Sequence, residues 1–591
     1  MPGPPSLPGT AAGRSGLGRR LARSPLLPAL LALALTGAAC FAQWRIDFNI
    51  ADEGFLWYGA IATAHGQVPL RDFFSYDPGR YYWAAAWAPL FGDGILALRL
   101  SAAIFQAVGL LLGLLAARRV LARPWLLAAA GALLLVWMIP RHKVFEPSVA
   151  MAAVWLGVRL LERPTRGRHF AAGLLAGLAV FIGKNLGLYC LASMAVLALI
   201  AHAGGGGAAV PEEEPAKRPG GPPEDVPGEV PGGVPGEPLE GPPVVTRRAP
   251  PAESLAVRPA AVRRRALGQK LAAFAAGLLA GLLPLLALCC VPGFYASYLE
   301  SCLFFLRLGR TNFPEPVPWP WLAFASGLDL GERAQQLALG LSFVLLIAGT
   351  ALVLATGWQR LRLHGADPPA TLLAAGGVVG FFFLHHAFAR PDAFHLGQSV
   401  QPLLLAALAL PAGGRSPTAR RWRAALIALL VAFCTAFTPV PEAPLFHELS
   451  AERPSQRFVP FDLAGDQVHV RRHTARVLGA VRTLFTRQVP RDEPALFATH
   501  FAGLYPFLGR RAPVWEIYPI WPGLGGRDER MLRELQANGV RWALIGAYGM
   551  QGGEELTLAE THPKTWSYLM QEFERVPSGE LPRRFLLLHK R

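Results

Sequence analysis

Charged residues and cysteines are both scarce in this sequence. Charged side chains make up 16% of its 591 residues, hydrophobic ones make up 52%, and the mean hydropathy is +0.32. Because an ordinary soluble chain is about one quarter charged, this composition excludes a simple soluble domain. Most of the six cysteines lie in apolar segments, and their spacing matches neither a metal site nor a disulfide framework.

Motifs that bind nucleotides are also missing. The glycine run at 204–207 is followed by no Lys-Ser or Lys-Thr pair and preceded by no strand pattern, so it is not a phosphate-binding loop. The net charge is +17, but the arginines fall in short clusters between apolar segments. That distribution is typical of membrane topology, and we therefore expect no nucleic-acid partner.

The apolar residues are concentrated in segments of about 16–23 residues, which is the length needed to cross a bilayer. About eleven spans are predicted on this basis. They lie near residues 26–44, 95–117, 125–140, 148–161, 170–186, 187–202, 269–291, 334–357, 370–388, 396–412 and 423–439.

The arginine clusters give the spans an orientation. With a cytoplasmic N-terminus, the inner loops receive the clusters at 118–123, 163–168, 360–362 and 420–423, in agreement with the positive-inside rule. An odd number of spans then places the C-terminal region outside. We therefore expect a multi-pass protein of the inner (plasma) membrane, surrounded by membrane lipids.

Composition divides the chain into five parts. Residues 1–25 are predicted to be a disordered basic N-terminus, and residues 203–268, rich in Pro and Gly, a disordered cytoplasmic insert. Transmembrane blocks are expected at 26–202 and 269–440. Strand and helix patterns alternate in residues 441–591, which predicts a small extracytoplasmic α/β domain.

The first outer loop, residues 45–94, carries the most informative residues. Asp52 and Glu53 are adjacent acids at an expected helix start, with Asn49 as a candidate cap and Gly66 as a candidate stop. A carboxylate that the helix dipole keeps ionised can act as a general base or a metal ligand. The alternative is that acids simply favour the first turn of a helix.

This loop resembles the first outer loop of the GT-C glycosyltransferases, multi-span enzymes that take a sugar from a polyprenyl-phosphate carrier. The likeness is to the branch that contains protein O-mannosyltransferases and lipid A aminoarabinose transferases, in which an Asp-Glu pair follows the first span. It rests on Asp52-Glu53, Gly66-x-Val-Pro-x-Arg71-Asp72-Phe-Phe, Asp77-Pro78-Gly79, and the Gly92-x-Gly94 to Arg99 stretch.

The resemblance implies a polytopic α-helical fold and an enzyme of the hexosyl- or pentosyltransferase class. It would move a sugar, with inversion, from a polyprenyl-phosphate donor to an acceptor hydroxyl on the outer (periplasmic) face. Asp52 would be the general base, and Glu53 would orient the hydroxyl or help to hold a divalent ion. The acceptor is left open between a glycolipid, a polysaccharide and a protein.

A lipid-phosphate leaving group needs cationic stabilisation, and several charges at predicted outer positions can supply it. The residues predicted to bind the lipid phosphate or the substrate are Arg71, Asp72, Asp77, Arg141, Lys143, Lys184, Arg390, Asp392 and His395. For each cation the alternative is snorkelling at the membrane interface. Glu53, Asp392 and His395 are candidate ligands of a divalent cation, with Mg²⁺ or Mn²⁺ expected before Zn²⁺.

Two other functions compete with the enzyme. A transporter or flippase would be expected to show internal repeats and charges near the membrane midplane, whereas these charges cluster at the ends of the predicted spans. A non-catalytic scaffold for envelope assembly would use the outer domain as a binding module, and its Asp52 and Arg390 could lie far apart.

Overall fold

The computed structural model describes residues 24–204, 260–308, 315–413, 416–438, 458–546, 557–579, 581–582 and 584–591. The two segments predicted to be disordered therefore lie mostly outside the described residues. At the C-terminal end of the predicted insert the boundary is wrong, because a helix begins at Ala260 and residues 260–268 belong to it. The apolar stretch that follows continues this helix to Cys289 without a break.

The membrane part is almost entirely helical. Its helices are α1 (Leu27–Gln43), α2 (Asp52–Ala64), α3 (Pro78–Phe91), α4 (Ile95–Ala117), α5 (Pro124–Val136), α6 (Phe145–Glu162), α7 (Arg166–Ile182), α8 (Lys184–Gly204), α9 (Ala260–Cys289), α10 (Phe294–Leu308), α11 (Leu330–His364), α12 (Pro368–Ala389), α13 (Ala393–Gly397), α14 (Gln401–Ala407) and α15 (Pro417–Phe437). Among the described residues, five helices (α4, α8, α9, α11 and α12) are long and apolar enough to cross a membrane. The chain is thus a multi-pass helical protein.

The predicted spans correspond to helices with one exception. The apolar stretch at 396–412 does not form one span, because α13 ends at Gly397 and α14 begins only at Gln401. Asp392 starts α13 by accepting a hydrogen bond from the backbone N–H of His395 at 2.8 Å. The break leaves the polar residues around 390–401 at the end of α12, where they can take part in a site.

The first loop folds into α2 and α3. Asn49 Oδ1 accepts hydrogen bonds from the backbone N–H groups of Ala51 and Asp52 at 2.9 and 3.0 Å. These contacts satisfy two of the donors that a helix start leaves free. The helix ends before Gly66, whose positive φ of 88° suits glycine. The predicted stop at Gly66 is therefore correct, whereas the N-cap position is Ala51 and Asn49 acts from two residues before it.

The predicted small α/β domain is confirmed. A hairpin precedes a four-stranded sheet whose strand order is β3-β4-β6-β5, with β3 and β4 parallel and the other pairs antiparallel. Its elements are β1 (Phe458–Leu463), β2 (Asp466–Arg471), α16 (Arg472–Gln488), β3 (Ala495–Ala498), α17 (Leu504–Phe507), α18 (Arg527–Ala537), β4 (Trp542–Gly546), α19 (Leu558–Thr561), α20 (Pro563–Glu572), β5 (Phe573–Arg575) and β6 (Phe585–Lys590).

The first loop and the C-terminal domain share one hydrophobic core. Phe55 of α2 stacks on Tyr518 with ring centroids 4.9 Å apart, and Phe74 packs against Trp515. The hairpin also pairs with the segment after α1, because the backbone N–H of His469 donates to the Arg45 carbonyl at 2.7 Å. These contacts make the loop and the domain one packed unit.

The backbones of the two parts approach each other closely at a pair of glycines. A Cβ atom added to Gly54 of α2 would lie 2.5 Å from the Cα atom of Gly503, so no larger residue fits without a backbone shift. We expect Gly54→Ala to destabilise the protein by about 1–3 kcal/mol through overpacking. Thermal unfolding of the detergent-solubilised protein measures this.

Gly479→Ala is the matched control for this prediction. Gly479 lies inside helix α16, and an added Cβ would meet no atom within 4 Å. Replacing it should leave stability unchanged or raise it, since Ala is the better helix former. Equal melting temperatures for the two variants would contradict the close packing of α2 on the domain.

Candidate functional site

Glu53 lies at the centre of a buried ionic cluster. Its side chain is 2% exposed, and its two carboxylate oxygens accept hydrogen bonds from Arg99 at 2.9 Å each. Arg141 donates to the same two oxygens at 3.0 and 3.2 Å. Burial alone would raise the pKa of Glu53, but the two guanidinium groups outweigh burial and hold the pKa far below its usual range.

Arg141 also has all of its donors occupied. Besides Glu53, its guanidinium donates to the backbone carbonyls of Gln43, Ile46 and Asp47 at 2.6 to 3.0 Å. A guanidinium has five N–H donors, and these contacts use all of them. In the structure Glu53 and Arg141 hold the turn after α1 against α2, and the described contacts occupy every donor of Arg141. The roles predicted for these two residues in catalysis and phosphate binding stay predictions.

Asp52, the neighbouring residue, has a different environment. Its side chain is 39% exposed. The hydroxyl of Tyr518 donates to Asp52 Oδ1 at 3.1 Å, and His142 Nε2 lies 3.8 Å from Asp52 Oδ2. Because α2 turns successive side chains to different directions, the first acid of the pair reaches an accessible space while the second is sealed in the core.

Electrostatics keep Asp52 ionised. Desolvation by its surroundings opposes ionisation, but the positive charge of Lys143 and the nearby His142 and Tyr518 outweigh it and hold the pKa of Asp52 far below its usual range. An ionised, accessible carboxylate can accept a hydrogen bond and then a proton from a bound hydroxyl.

The positive charge of Arg390 also acts on Tyr518. Burial and the negative charge of Asp52 raise the pKa of the Tyr518 hydroxyl, while the positive charge of Arg390 acts in the opposite direction. Tyr518 therefore remains a protonated donor to Asp52. Asp52 and Arg390, which are far apart in sequence, both act on this one side chain.

Lys143 lies beside Asp52 in a group of buried polar residues. Its ammonium donates to the hydroxyl of Tyr76 at 2.7 Å and lies 4.2 Å from the centroid of the same ring. Arg80 faces Tyr76 from another side, 5.5 Å from the ring, and forms a 2.6 Å ion pair with Glu146 at the start of α6. Contacts with Tyr76 and Glu146 thus hold the side chains of Lys143 and Arg80 in place.

Asp77 and Lys184 join the first loop to the break between α7 and α8. Lys184 donates to Asp77 through both its ammonium, at 2.7 Å, and its backbone N–H, at 3.0 Å. A Cβ on Gly79 would lie 2.7 Å from the Phe181 carbonyl oxygen, so the Asp77-Pro78-Gly79 turn packs directly against the end of α7. This contact explains why the motif needs glycine.

Arg71 and Asp72 bind each other. The guanidinium of Arg71 donates to both oxygens of Asp72 at 2.7 and 2.8 Å, and the two side chains are about one third exposed. Asp72 also accepts from the backbone N–H of Val68 at 2.7 Å. The structure gives this pair a role in the turn after α2, while its predicted role in substrate binding stays a prediction.

The residues predicted at 390–395 come together in one cluster. Arg390 donates to Glu315 at 3.0 Å and pairs with Asp392 at the same distance. Asp392 in turn faces His395 Nδ1 at 2.9 Å. This group lies at the break between α12 and α13.

This cluster connects to the start of α8. The ring of His395 lies 5.5 Å from that of His386, and His386 Nδ1 is 3.3 Å from the Asn185 amide nitrogen. Asn185 follows Lys184 at the beginning of α8. These contacts therefore link the cluster around Arg390 to the segment that carries Lys184.

The predicted divalent cation finds no ligand set among the residues that the structure describes. Within them, no group of three or more His, Cys, Asp or Glu side chains lies together in a way that could hold a metal. The two oxygens of Asp392 pair with His395 and Arg390, and the carboxylate of Glu53 pairs with Arg99 and Arg141. We derive no chemical step through a metal, and the cation stays a prediction.

Several residues of the site are not identified by the sequence. Arg80 directly follows Gly79 and Arg99 lies five residues after Gly94, so each is close to a recognisable motif of the first loop, which is the available signal. Tyr518 and His500 belong to the C-terminal domain, hundreds of residues from Asp52, and carry no local signal. Only the packing of that domain on α2 reveals them.

No protein-family model matches the sequence, and no curated protein matches it. Solved structures do match. Crystal structures of ArnT from Cupriavidus metallidurans, bound to undecaprenyl phosphate and in the apo state, match with TM-scores of 0.46 and 0.44 at 13% identity, covering 94% of this chain and 97% of theirs.

A second group of matches comes from an archaeon. The apo oligosaccharyltransferase of Archaeoglobus fulgidus matches with a TM-score of 0.43 at 11% identity, over 96% of this chain and 75% of that chain. AglB of the same organism, in complex with an inhibitory peptide and a dolichol-phosphate, matches with a TM-score of 0.39 at 12% identity. ArnT and AglB are both GT-C glycosyltransferases. At this level of similarity the activity of the chain has to be inferred from its own side chains.

The different environments of Asp52 and Glu53 predict different effects on stability. Glu53→Gln leaves two buried guanidinium groups without their counter-charge, and we expect a loss of about 3–5 kcal/mol. Asp52→Asn, one residue away and half-exposed, should change stability by much less. Thermal unfolding of the two solubilised variants tests this, and equal losses would contradict a structural role specific to Glu53.

Proposed function

We propose that this protein is a membrane glycosyltransferase that moves a sugar from a polyprenyl-phosphate donor to an acceptor hydroxyl on the outer face of the membrane. The observation that carries the proposal is the position of Asp52. It is an accessible carboxylate, kept ionised by fixed positive charge, at the junction of the membrane helices and the outer domain.

Asp52 has the properties of a general base. The acceptor hydroxyl is a weak nucleophile until a positioned group takes its proton, and such a group contributes roughly 10²–10⁴-fold. Both of its oxygens lie near groups that can donate, Tyr518 on one side and His142 on the other. These contacts support a carboxylate whose orientation is set before the substrate binds.

The cations around Asp52 suit a phosphate leaving group. Lys143 has three N–H donors, and the described contacts assign one of them to Tyr76. Arg390, near Tyr518, is held by Glu315 and Asp392 through its Nε, so its terminal nitrogens can face a ligand. Fixed cations of this kind stabilise the negative charge that develops as the phosphate departs.

The proposed reaction balances as a single displacement. The acceptor oxygen bonds to the anomeric carbon of the sugar while its proton passes to Asp52. The bond between that carbon and the phosphate oxygen breaks, and its electron pair stays on the polyprenyl phosphate. One displacement inverts the anomeric centre, so comparing the anomeric configuration of product and donor tests this step.

Replacing the base should abolish transfer. We expect Asp52→Asn to lower the transfer of radiolabelled sugar from polyprenyl-phosphate donors, in membrane vesicles, by about 10²–10⁴-fold. The amide keeps the size of the side chain but cannot accept a proton. Transfer is measured as label that moves from the lipid fraction to the acceptor, at equal protein levels.

Two outcomes would redirect the proposal. Equal transfer by wild type and Asp52→Asn would remove Asp52 from the reaction. The absence of transfer by the wild type across a panel of donors, together with movement of labelled lipid across the bilayer, would favour a flippase. Lys564→Gln is the matched control, since its ammonium pairs with Glu529 on the exposed surface of the C-terminal domain.

The pH dependence of transfer should report the charge of Lys143. Lys143 lowers the pKa of Asp52, so Lys143→Gln raises it. Only the ionised carboxylate accepts a proton, and activity therefore falls as the pH drops through the pKa of Asp52. We expect the acidic limb of the pH–rate profile to move to higher pH in Lys143→Gln and to stay in place in Lys564→Gln, whose ammonium pairs with Glu529 on the exposed surface. An unmoved limb in Lys143→Gln would contradict this coupling.

A further inference from the structure

The space around Asp52 is closed on one side by the C-terminal domain. Tyr518 donates a hydrogen bond to Asp52 from that domain at 3.1 Å, and the ring of His500 meets that of Tyr518 edge to face with centroids 5.7 Å apart. The charge of Asp52 acts on His500 as well as on Tyr518. Tyr518 therefore contacts the carboxylate that we propose as the base, and His500 packs against Tyr518.

His500 has an unused hydrogen-bonding nitrogen. The residue is 9% exposed, and its Nδ1 atom lies 2.8 Å from the hydroxyl of Thr499. Its Nε2 atom is buried and has no hydrogen-bond partner among the residues that the structure describes. Since buried polar atoms are nearly always hydrogen-bonded, this nitrogen points to a polar group that a bound molecule supplies.

His142 gives a second, independent indication. It is 8% exposed, and its Nε2 atom lies 3.8 Å from Asp52, beyond hydrogen-bonding distance, again without a partner among the described residues. His142 precedes Lys143 on the membrane side of Asp52, whereas His500 approaches from the outer domain. The described residues therefore contain two buried imidazole nitrogens without a hydrogen-bond partner, and a bound polar molecule would satisfy each of them.

Burial also decides the charge of His500. It lowers the pKa of His500 to about 4, against the opposing effect of Asp52, so the imidazole is neutral at physiological pH. A neutral imidazole offers Nε2 as a donor or an acceptor, according to its tautomer. Either suits an uncharged hydroxyl, and neither provides the positive charge that a phosphate needs.

We propose that the C-terminal domain forms the acceptor side of the transfer site, with Nε2 of His500 binding a carbohydrate hydroxyl next to Asp52 and Tyr518 positioning the carboxylate. The proposal rests on the proposed function. It assigns the donor phosphate to the cations of the membrane part and the acceptor to the outer domain. Because Tyr518 is stacked on Phe55 of α2, the domain holds both side chains in fixed positions.

The arrangement predicts how the site selects its acceptor over water. An acceptor hydroxyl that hydrogen-bonds to His500 lies within reach of Asp52, gives up its proton to it and attacks the anomeric carbon. Without the imidazole, water can take the same position, and the sugar is then released by hydrolysis. His500 therefore governs what receives the sugar more than whether the donor reacts.

The partition of label between acceptor and water tests this proposal. Full-length wild type and His500→Ala are compared in membrane vesicles that contain the native acceptors, with polyprenyl-phosphate donors carrying radiolabelled sugar. For His500→Ala we expect the ratio of acceptor-bound label to free sugar to fall about tenfold or more, while donor continues to be consumed. Asp52→Asn should consume almost no donor by either route.

His562→Ala is the matched control. His562 is a fully buried histidine of the same domain, but its Nε2 lies 3.3 Å from Glu516 and it has no contact with Asp52 in the described structure. We expect it to keep the wild-type ratio, even if the amount of folded protein falls. A ratio that falls equally in both histidine variants would overturn the proposal in favour of general damage to the domain.

The remaining outcomes separate the two proposals. An unchanged ratio in an active His500→Ala would overturn the role of His500 and leave the glycosyltransferase standing. Tyr518→Phe keeps the ring and removes the hydrogen bond to Asp52, so it should lower transfer and hydrolysis together without changing the ratio. A wild type that consumes no donor of the panel would overturn the proposed function and, with it, this assignment.

Discussion

The paired ion contacts of Arg99 and Arg141 with Glu53 fix the geometry on which the proposed site depends. Arg99 comes from the first turns of α4 and Arg141 from the turn before α6, and both also hold backbone carbonyls of the segment after α1. Three parts of the membrane domain therefore meet at the start of α2. A buried ionic cluster of this kind adds little net stability, because desolvation offsets most of the attraction. Its strict geometry, however, fixes the direction in which the neighbouring Asp52 points.

Two adjacent acids thus serve different purposes because their surroundings differ. Glu53 is buried and fully paired, and its charge is neutralised inside the protein. Asp52 is accessible, and the groups around it stabilise its charge without using all of its capacity to accept hydrogen bonds. The turn that places Arg141 against Glu53 continues through His142 to Lys143, and this brings the charge of Lys143 close enough to act on Asp52. The structural and the chemical parts of the site are therefore consecutive in the chain.

The membrane part and the outer domain face Asp52 with different chemistry. Fixed cations, some of them at breaks between helices, belong to the membrane part, to which we assign the lipid phosphate in our proposal. The outer domain contributes uncharged hydrogen-bonding groups, Tyr518 and His500. The shared hydrophobic core between α2 and the domain keeps the two sides at a constant distance, since aromatic rings such as Phe55 and Phe74 are packed between them. This division is the basis on which we propose a charged donor side and an uncharged acceptor side.

The sequence by itself determined the helical membrane architecture and the small α/β domain, because apolar length and strand periodicity are local patterns. It also directed attention to the Asp-Glu pair, whose catalytic role stays a prediction. It did not determine which acid is accessible, since neighbouring residues on a helix differ only in what packs against them. Nor could it identify His500 and Tyr518, which reach Asp52 across more than 440 positions of the chain. The tertiary structure decides which acid is accessible and which distant residues lie near it. Burial, ion pairing and pKa depend on contacts between distant segments, for which no local pattern exists.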